Sequence, residues 1–198
     1  MPVADTRPQQ QLVLASGSAR RRDLLRQIGI EPSRVDPPHI DEHPGPRELP
    51  LDYAARMARE KLAAIVPKHP GCWVLAADTV VACGRRILPK AETEAEARAC
   101  LALLSGRRHR VLGGIALAAS DGRSAHRVVT TLVAFKRLTA REIEAYVATG
   151  DWHGKAGGYA IQGHAAAFIP WINGSYGNVV GLSLSDTVAM LTGLGWQD

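Results

Sequence analysis

A short apolar run, Leu12 to Ala15, ends in Ser16-Gly17-Ser18 and passes at once into a helical pattern. Leu24, Leu25 and Ile28 recur at helical spacing, and Gly29 stands where a left-handed C-terminal cap belongs. A strand feeding a helix through three residues restricts the chain to architectures in which helices pack on a sheet. Ser18 is a good N-cap residue, so the helix is expected to open with unpaired backbone N–H groups beside two hydroxyls and Arg20, Arg21 and Arg22. Such a terminus suits a multiply charged anion, phosphate above all. The Gly-x4-Gly-Lys-Ser/Thr spacing is missing, so a P-loop is not supported. A capped amphipathic helix with solvated arginines accounts for this segment equally well.

The remaining chain points to an α/β domain whose sheet is not purely parallel. Glu31 to Pro50 is rich in proline and reads as a loop, followed by a helix from about Leu51 to Val66. Trp73 to Ala77 reads as a buried strand closed by Asp78-Thr79, before Val80-Val81 continues and Gly84 turns the chain back. Thr93 to Glu96 and Thr139 to Glu142 are capping boxes that open two helices. Between them, a strand through Val111, Ile115, Leu117 and Ala119 leads by an Asp121-Gly122 hairpin into a strand over Val128 to Phe135. Asn173-Gly174 signals another tight hairpin, and Leu184 to Leu194 a last helix. Hairpins mixed with helices give a mixed sheet flanked by helices. We expect a flexible N-terminus over residues 1–11 and a single domain over 12–198, since no linker divides the chain.

With 198 residues, 46% apolar and 22% charged, the chain has the composition of a soluble globular enzyme. A net charge of +5 suits an anionic ligand, but aromatics are only 5% and no basic run is interleaved with them, which weighs against nucleic acid. Cys72, Cys83 and Cys100 are odd in number and widely spaced, which weighs against a zinc site or disulfide framework and fits a reducing cytoplasm. No signal-peptide core precedes Leu12 and no run reaches membrane-span length.

Several residues could carry chemistry, each against a plainer alternative. Asp78, at the end of an apolar strand, can hold a divalent metal or accept a proton from water, or simply cap a turn. Lys61 lies four residues from Met57 and from Ile65, on the apolar row of its helix, so it must snorkel or enter a pocket. Lys90 follows Pro89, and Lys155 sits among glycines that admit a ligand or shape a loop. Gln162 offers a bidentate amide to a base or to neighbouring backbone. Asp41 and Glu42 are a second carboxylate source for a metal, or solvated loop charges. Ser16 and Ser18 lack a nucleophile-elbow context. Several cations with isolated carboxylates indicate metal-assisted phosphate chemistry rather than acyl transfer.

Taken in order, the blocks ASGSARRRDLL (15–25), AREKLA (58–63), AADTVV (76–81), LPK (88–90), LSGRRHRV (104–111), KAGGYAIQG (155–163) and NGSYGNVVGL (173–182) carry a family resemblance. From Leu12 to about Leu191 the chain resembles the Maf (septum-formation-inhibitor-like) nucleoside triphosphate pyrophosphatases. The resemblance implies a fold related to the inosine-triphosphate pyrophosphatases and hydrolysis of a nucleoside triphosphate to monophosphate and pyrophosphate. It implies Asp78 as general base, and Ser16, Arg20, Arg21, Lys61, Lys90 and Lys155 at the phosphates. A divalent cation (Mg²⁺, Mn²⁺ or Co²⁺) would lie near Asp78 and an acidic residue of the Asp41-Glu42 pair, taken here as Glu42. Arg20, Thr79 and Gln162 occupy positions tied to substrate choice and look like the dTTP- and UTP-preferring subfamily. Two positions depart from the family pattern: Ala19 replaces a proline at the first helical position, where alanine serves well, and Gly113 replaces a threonine, which bears on pocket shape and base choice. The expected partner is the nucleotide, with no stable nucleic-acid or membrane partner and a homodimer left open. The rival readings are a nucleotide-binding regulator of cell division acting through a protein partner and an RNA-binding module. A pure sensor has no need of a general base, and the low aromatic content weakens the RNA reading.

Overall fold

The protein is described here from a computed structural model over residues 10–197. The expected flexible terminus lies outside the described residues for positions 1–9; Gln11, by contrast, accepts a hydrogen bond from Trp73 N–H at 2.9 Å. In chain order the elements are β1 (Leu12–Ala15), α1 (Ala19–Gln27), β2 (Arg34–Val35), α2 (Pro50–Ile65), β3 (Trp73–Cys83), β4 (Arg86–Leu88), β5 (Lys90–Ala91) and α3 (Glu94–Leu104). They continue with β6 (Arg108–Ala118), β7 (Ser124–Ala134), α4 (Ala140–Val147), β8 (Lys155–Ala156), β9 (Trp171–Asn173), α5 (Tyr176–Val180) and α6 (Leu184–Leu194).

Seven strands form one mixed sheet in the order β2-β1-β3-β6-β7-β9, with β4 paired to β3; β5 and β8 form a separate pair. β1 runs parallel to β2 and β3, and the remaining pairs are antiparallel. Alternation along the strands divides the core between two faces. Val13, Ala15, Val74, Ala76 and Ala116 pack against α2 through Ala58, Leu62 and Ile65. On the other face Leu12, Leu14, Leu75, Ala77 and Ile115 meet Leu24 and Leu25 of α1 and Met190 and Leu191 of α6. Both capping boxes form: Thr93 and Thr139 each accept from the backbone three residues on, and Glu96 and Glu142 reach back.

The central strand β3 is longer than its apolar run suggested. Asp78 and Thr79 do not close it; they lie inside an eleven-residue strand that β6 accompanies from Val74 to Ala82. Burial of an aspartate mid-strand is tolerated because its charge is paired, as shown below. On the opposite edge, β1 pairs with β3 only from Trp73 to Ala76, and β4 takes over at Val81. Ala77 to Val80 therefore have no strand beside them on that edge, and the sheet carries a gap there.

Facing Thr79 and Asp78 across the β3–β6 ladder are Gly113 and Gly114. A Cβ on Gly113 would lie 1.9 Å from Asn178 Oδ1, and one on Gly114 2.1 Å from the Ala54 carbonyl oxygen. Successive strand residues face opposite ways, so the two glycines let α5 and α2 seat on opposite faces at the same point. Gly113 thus serves close packing rather than either cavity described below.

Two other expectations change. Asn173-Gly174 does not make a hairpin: β9 pairs back to β7, and Gly174, at φ 122°, turns the chain into α5, which Ser175 caps by accepting from Asn178 N–H. The proline-rich passage holds the short strand β2, whose Val35 pairs with Leu14. Gly29 does adopt the left-handed conformation after α1.

Gly114→Ala is expected to lower unfolding stability by about 1–3 kcal/mol, because the methyl must push α2 off the sheet. Urea denaturation measures this, and a change within about 0.5 kcal/mol would contradict the seating of α2 on β6.

Candidate active site

The gap beside Ala77–Val80 opens into a cleft of about 530 Å³. Its walls are the β1–α1 turn from Ala15 to Arg21, the β8 segment around Lys155, the end of α5 at Val179 to Gly181, and Pro37, Pro38 and Glu42 from the long loop. Lys61, Asp78, Thr79 and Lys90 line it as well. Of the residues expected from the sequence, Ser16, Arg20, Arg21, Glu42, Lys61, Asp78, Thr79, Lys90 and Lys155 converge on this space, whereas Asp41 and Gln162 do not line it.

The α1 side is an organised donor array. Arg21 is buried: its Nη1 donates to Ser16 Oγ at 2.7 Å, Nε to the Gly181 carbonyl at 2.9 Å and Nη2 to Thr79 Oγ1 at 3.1 Å. Burial lowers the Arg21 pKa, and the charge of Asp78 opposes that shift. Ser18 stands at the N-cap with extended backbone, but its hydroxyl makes no cap bond. Its N–H instead donates to Ser16 Oγ at 3.3 Å. Arg20 is part-buried and has no acceptor among the described residues; burial lowers its pKa. Lys155, lowered by burial and by the charge of Arg20, donates to the His153 carbonyl at 2.8 Å. Arg22, the third arginine of the run, lines neither cavity, and its Nε is buried without a partner.

The α2 side carries the acids. Lys61 does not snorkel: it is 5% exposed, and its Nζ lies 2.6 Å from Asp78 Oδ1 and 2.8 Å from Glu42 Oε1. Lys90 Nζ binds the other oxygen of Glu42. Burial alone would raise the Glu42 carboxyl, but the hydrogen bonds from Lys61 and Lys90 outweigh it and hold its pKa down at about 2. Asp78 Oδ2 makes no hydrogen bond among the described residues. Asp41 points elsewhere, exposed and paired with His43.

The loop that delivers Glu42 is fastened to the same helix as Lys61. Tyr53 O–H donates to the Glu42 carbonyl, and Arg56 Nη2 to the His43 carbonyl at 3.1 Å. Arg56 also grips Glu48 with a two-pronged contact, 2.7 Å on each prong. Arg47, between these anchors, sits at φ 59°, an uncommon conformation for a residue with a side chain. Nothing in the sequence marked Tyr53, Arg56 and Glu48 as site supports, because their partners lie across a loop of irregular backbone.

Gln162 lines a separate cavity of about 370 Å³ that shares Arg20 and Val180 with the first. Among the described residues no group of three or more His, Cys, Asp or Glu side chains could hold a metal alone. Glu42 and Asp78, brought together on one ammonium group, supply two carboxylates. Three of their four oxygens meet ammonium groups, so a Mg²⁺-like ion would take Asp78 Oδ2 and the remaining lone pairs of Glu42, with substrate oxygens and water completing it.

A model of the Maf-like protein family matches residues 11–194, and the chain belongs to that family. A dTTP/UTP pyrophosphatase of Paramagnetospirillum magneticum is 63% identical over 185 residues, which cover 93% of this chain and 97% of that one. Relatives of the same name from Rhodospirillum rubrum and Caulobacter vibrioides are each 58% identical, covering 99% and 94% of this chain and 93% and 96% of their own.

Lys61→Met is expected to destabilise the protein by on the order of 3 kcal/mol at neutral pH, since it strands the buried Asp78 and leaves Glu42 with Lys90 alone. Glu42 is depressed from 4.5 to about 2, so its contribution is present above about pH 4.5 and fades as the pH falls toward 2. The gap in melting temperature between parent and variant should therefore narrow from pH 7 to pH 3. A gap that stays constant or widens in acid would contradict the carboxylate–lysine assignment.

Proposed function

We propose that this protein is a nucleoside triphosphate pyrophosphatase acting on dTTP and UTP, releasing the monophosphate and pyrophosphate. One observation carries the reading: a buried carboxylate with a free oxygen, Asp78, at the floor of a cleft walled by Arg20, Arg21, Lys61, Lys90 and Lys155. Relatives up to 63% identical bear the name of that activity. The regulator of cell division has no comparable support, because a sensor of nucleotide would not require an acceptor beside the phosphates.

In this reading the triphosphate lies in the cleft with its charge met by the five cations, Arg20 being the one with its donors unspent. Ser16 Oγ and Thr79 Oγ1 hold Arg21 in place for that contact. Asp78 Oδ2 orients the attacking water and takes its proton, while Lys61 keeps Oδ1 engaged and the carboxyl directed into the cleft. Water attacks the α-phosphorus, the bond to the bridging oxygen breaks, and Lys90 and Lys155 meet the charge that develops on pyrophosphate. Glu42 and Asp78 would hold a divalent cation, which when bound neutralises phosphate charge and polarises a phosphoryl oxygen. Three free thiols suit a reducing cytoplasm as the compartment. Gln162, next door, is the residue we assign to the base, with Arg20 at the junction.

Asp78→Asn is expected to keep the fold and lower turnover by roughly two orders of magnitude or more, the scale of a lost general base. The assay is a panel of canonical and modified triphosphates with Mg²⁺, Mn²⁺ and Co²⁺, quantifying monophosphate and pyrophosphate separately. Release of orthophosphate instead of pyrophosphate, or near-normal turnover in the folded variant, would reject the mechanism.

A further inference from the structure

The second cavity has a wall made by one stripe of α1: Arg20, Asp23, Leu24 and Gln27, at offsets of three, four and seven residues. Gln162 and Tyr176 line it too. The side chains of Asp23, Gln27 and Gln162 make no hydrogen bond among the described residues; Asp23 forms an ion pair with Arg26 at 3.6 Å, and Arg20 lines the same cavity. Tyr176 is 49% exposed and makes no aromatic contact among the described residues. These are spare polar groups around a concave space that shares Arg20 and Val180 with the cation-lined cleft.

We propose that this cavity receives the base and that Asp23 is a specificity-determining residue, accepting the imide N–H of uracil or thymine. The inference rests on the pyrophosphatase reading for the location of the triphosphate. The outer edge of uracil and thymine reads acceptor, donor, acceptor: O2, N3–H, O4. Its complement is donor, acceptor, donor, which the Gln27 amide, the Asp23 carboxylate and the Gln162 amide supply in kind. Cytosine presents an unprotonated N3 instead. Against a carboxylate, which only accepts, that nitrogen leaves two acceptors facing each other. The face of Tyr176 offers a stacking surface that accepts any base, so choice falls to the polar edge.

Binding of the α,β-imido analogues of UTP and CTP, which are not cleaved there, tests this by calorimetry on the parent, Asp23→Asn and Asp23→Ala. Asp23 is exposed, so both variants should fold, and melting curves check that. We expect the parent to favour the uridine analogue by about tenfold or more, and Asp23→Asn to bring the two within about threefold, largely by tighter binding of cytidine. Asp23→Ala should also narrow the preference. A preference unchanged in both variants, or a parent that binds the two analogues alike or not at all, overturns the proposal. Hydrolysis assayed in parallel separates the two claims. Selective binding without cleavage would sink the reaction and leave the base assignment standing, while normal UTP cleavage with an unmoved ratio would sink the role of Asp23 alone.

Discussion

One ammonium group, Lys61 Nζ, joins three segments distant in sequence: the helix α2 that bears it, the strand β3 through Asp78, and the long loop through Glu42. Asp78, at 2.6 Å, has no other partner to offset its lost hydration, whereas Glu42, at 2.8 Å, is partly exposed and also meets Lys90. The cost of burying Asp78 is offset only while Lys61 is present, and the buried Lys61 in turn depends on the two carboxylates. This interdependence explains why β3 runs unbroken through an aspartate and why a proline-rich loop with little secondary structure of its own holds a defined course.

Around that point the charges are segregated. Cations from α1 and β8 line the open side, where β1 has stopped and β4 has not begun, while the acids lie toward α2, bound to Lys61 and Lys90. The gap in the sheet edge is therefore structural and chemical at once. It leaves backbone and side chains of β3 within reach of a ligand, with no need for a cavity in the core. Arg21 closes the array from behind, bridging the β1 turn, β3 and the end of α5 in one guanidinium.

Much of this was legible in the sequence where periodicity and local chemistry agree. The strand-to-helix turn at Ser16–Ser18, both capping boxes and the last helix, Leu184–Leu194, are written in residues close to one another. Lys61 was identifiable from its place on an apolar row, and burial followed. Asp78 misled as to strand length, because an acid usually ends a buried strand and only its distant partner shows why this one does not. Asn173-Gly174 misled because the turn chemistry of a hairpin also serves entry into a short helix. The division of Gln162 from the phosphate cations, and the fastening of the Glu42 loop by Tyr53, Arg56 and Glu48, depend on tertiary placement that no local pattern encodes.

The glycine pair opposite Asp78 and Thr79 has a dynamic consequence. Glycine is a weak strand former, each such position costing roughly 0.5–1 kcal/mol relative to alanine. β6 is therefore intrinsically softest beside the site, and its order there is lent by the two helices pressed on it, α2 from one face and α5 from the other. Backbone fluctuation at the cleft floor is consequently governed from outside the sheet. A change that loosens either helix, even at a residue remote from the ligand, should be felt first as faster amide exchange along Gly113-Gly114 and Asp78-Thr79, with the outer strands still closed.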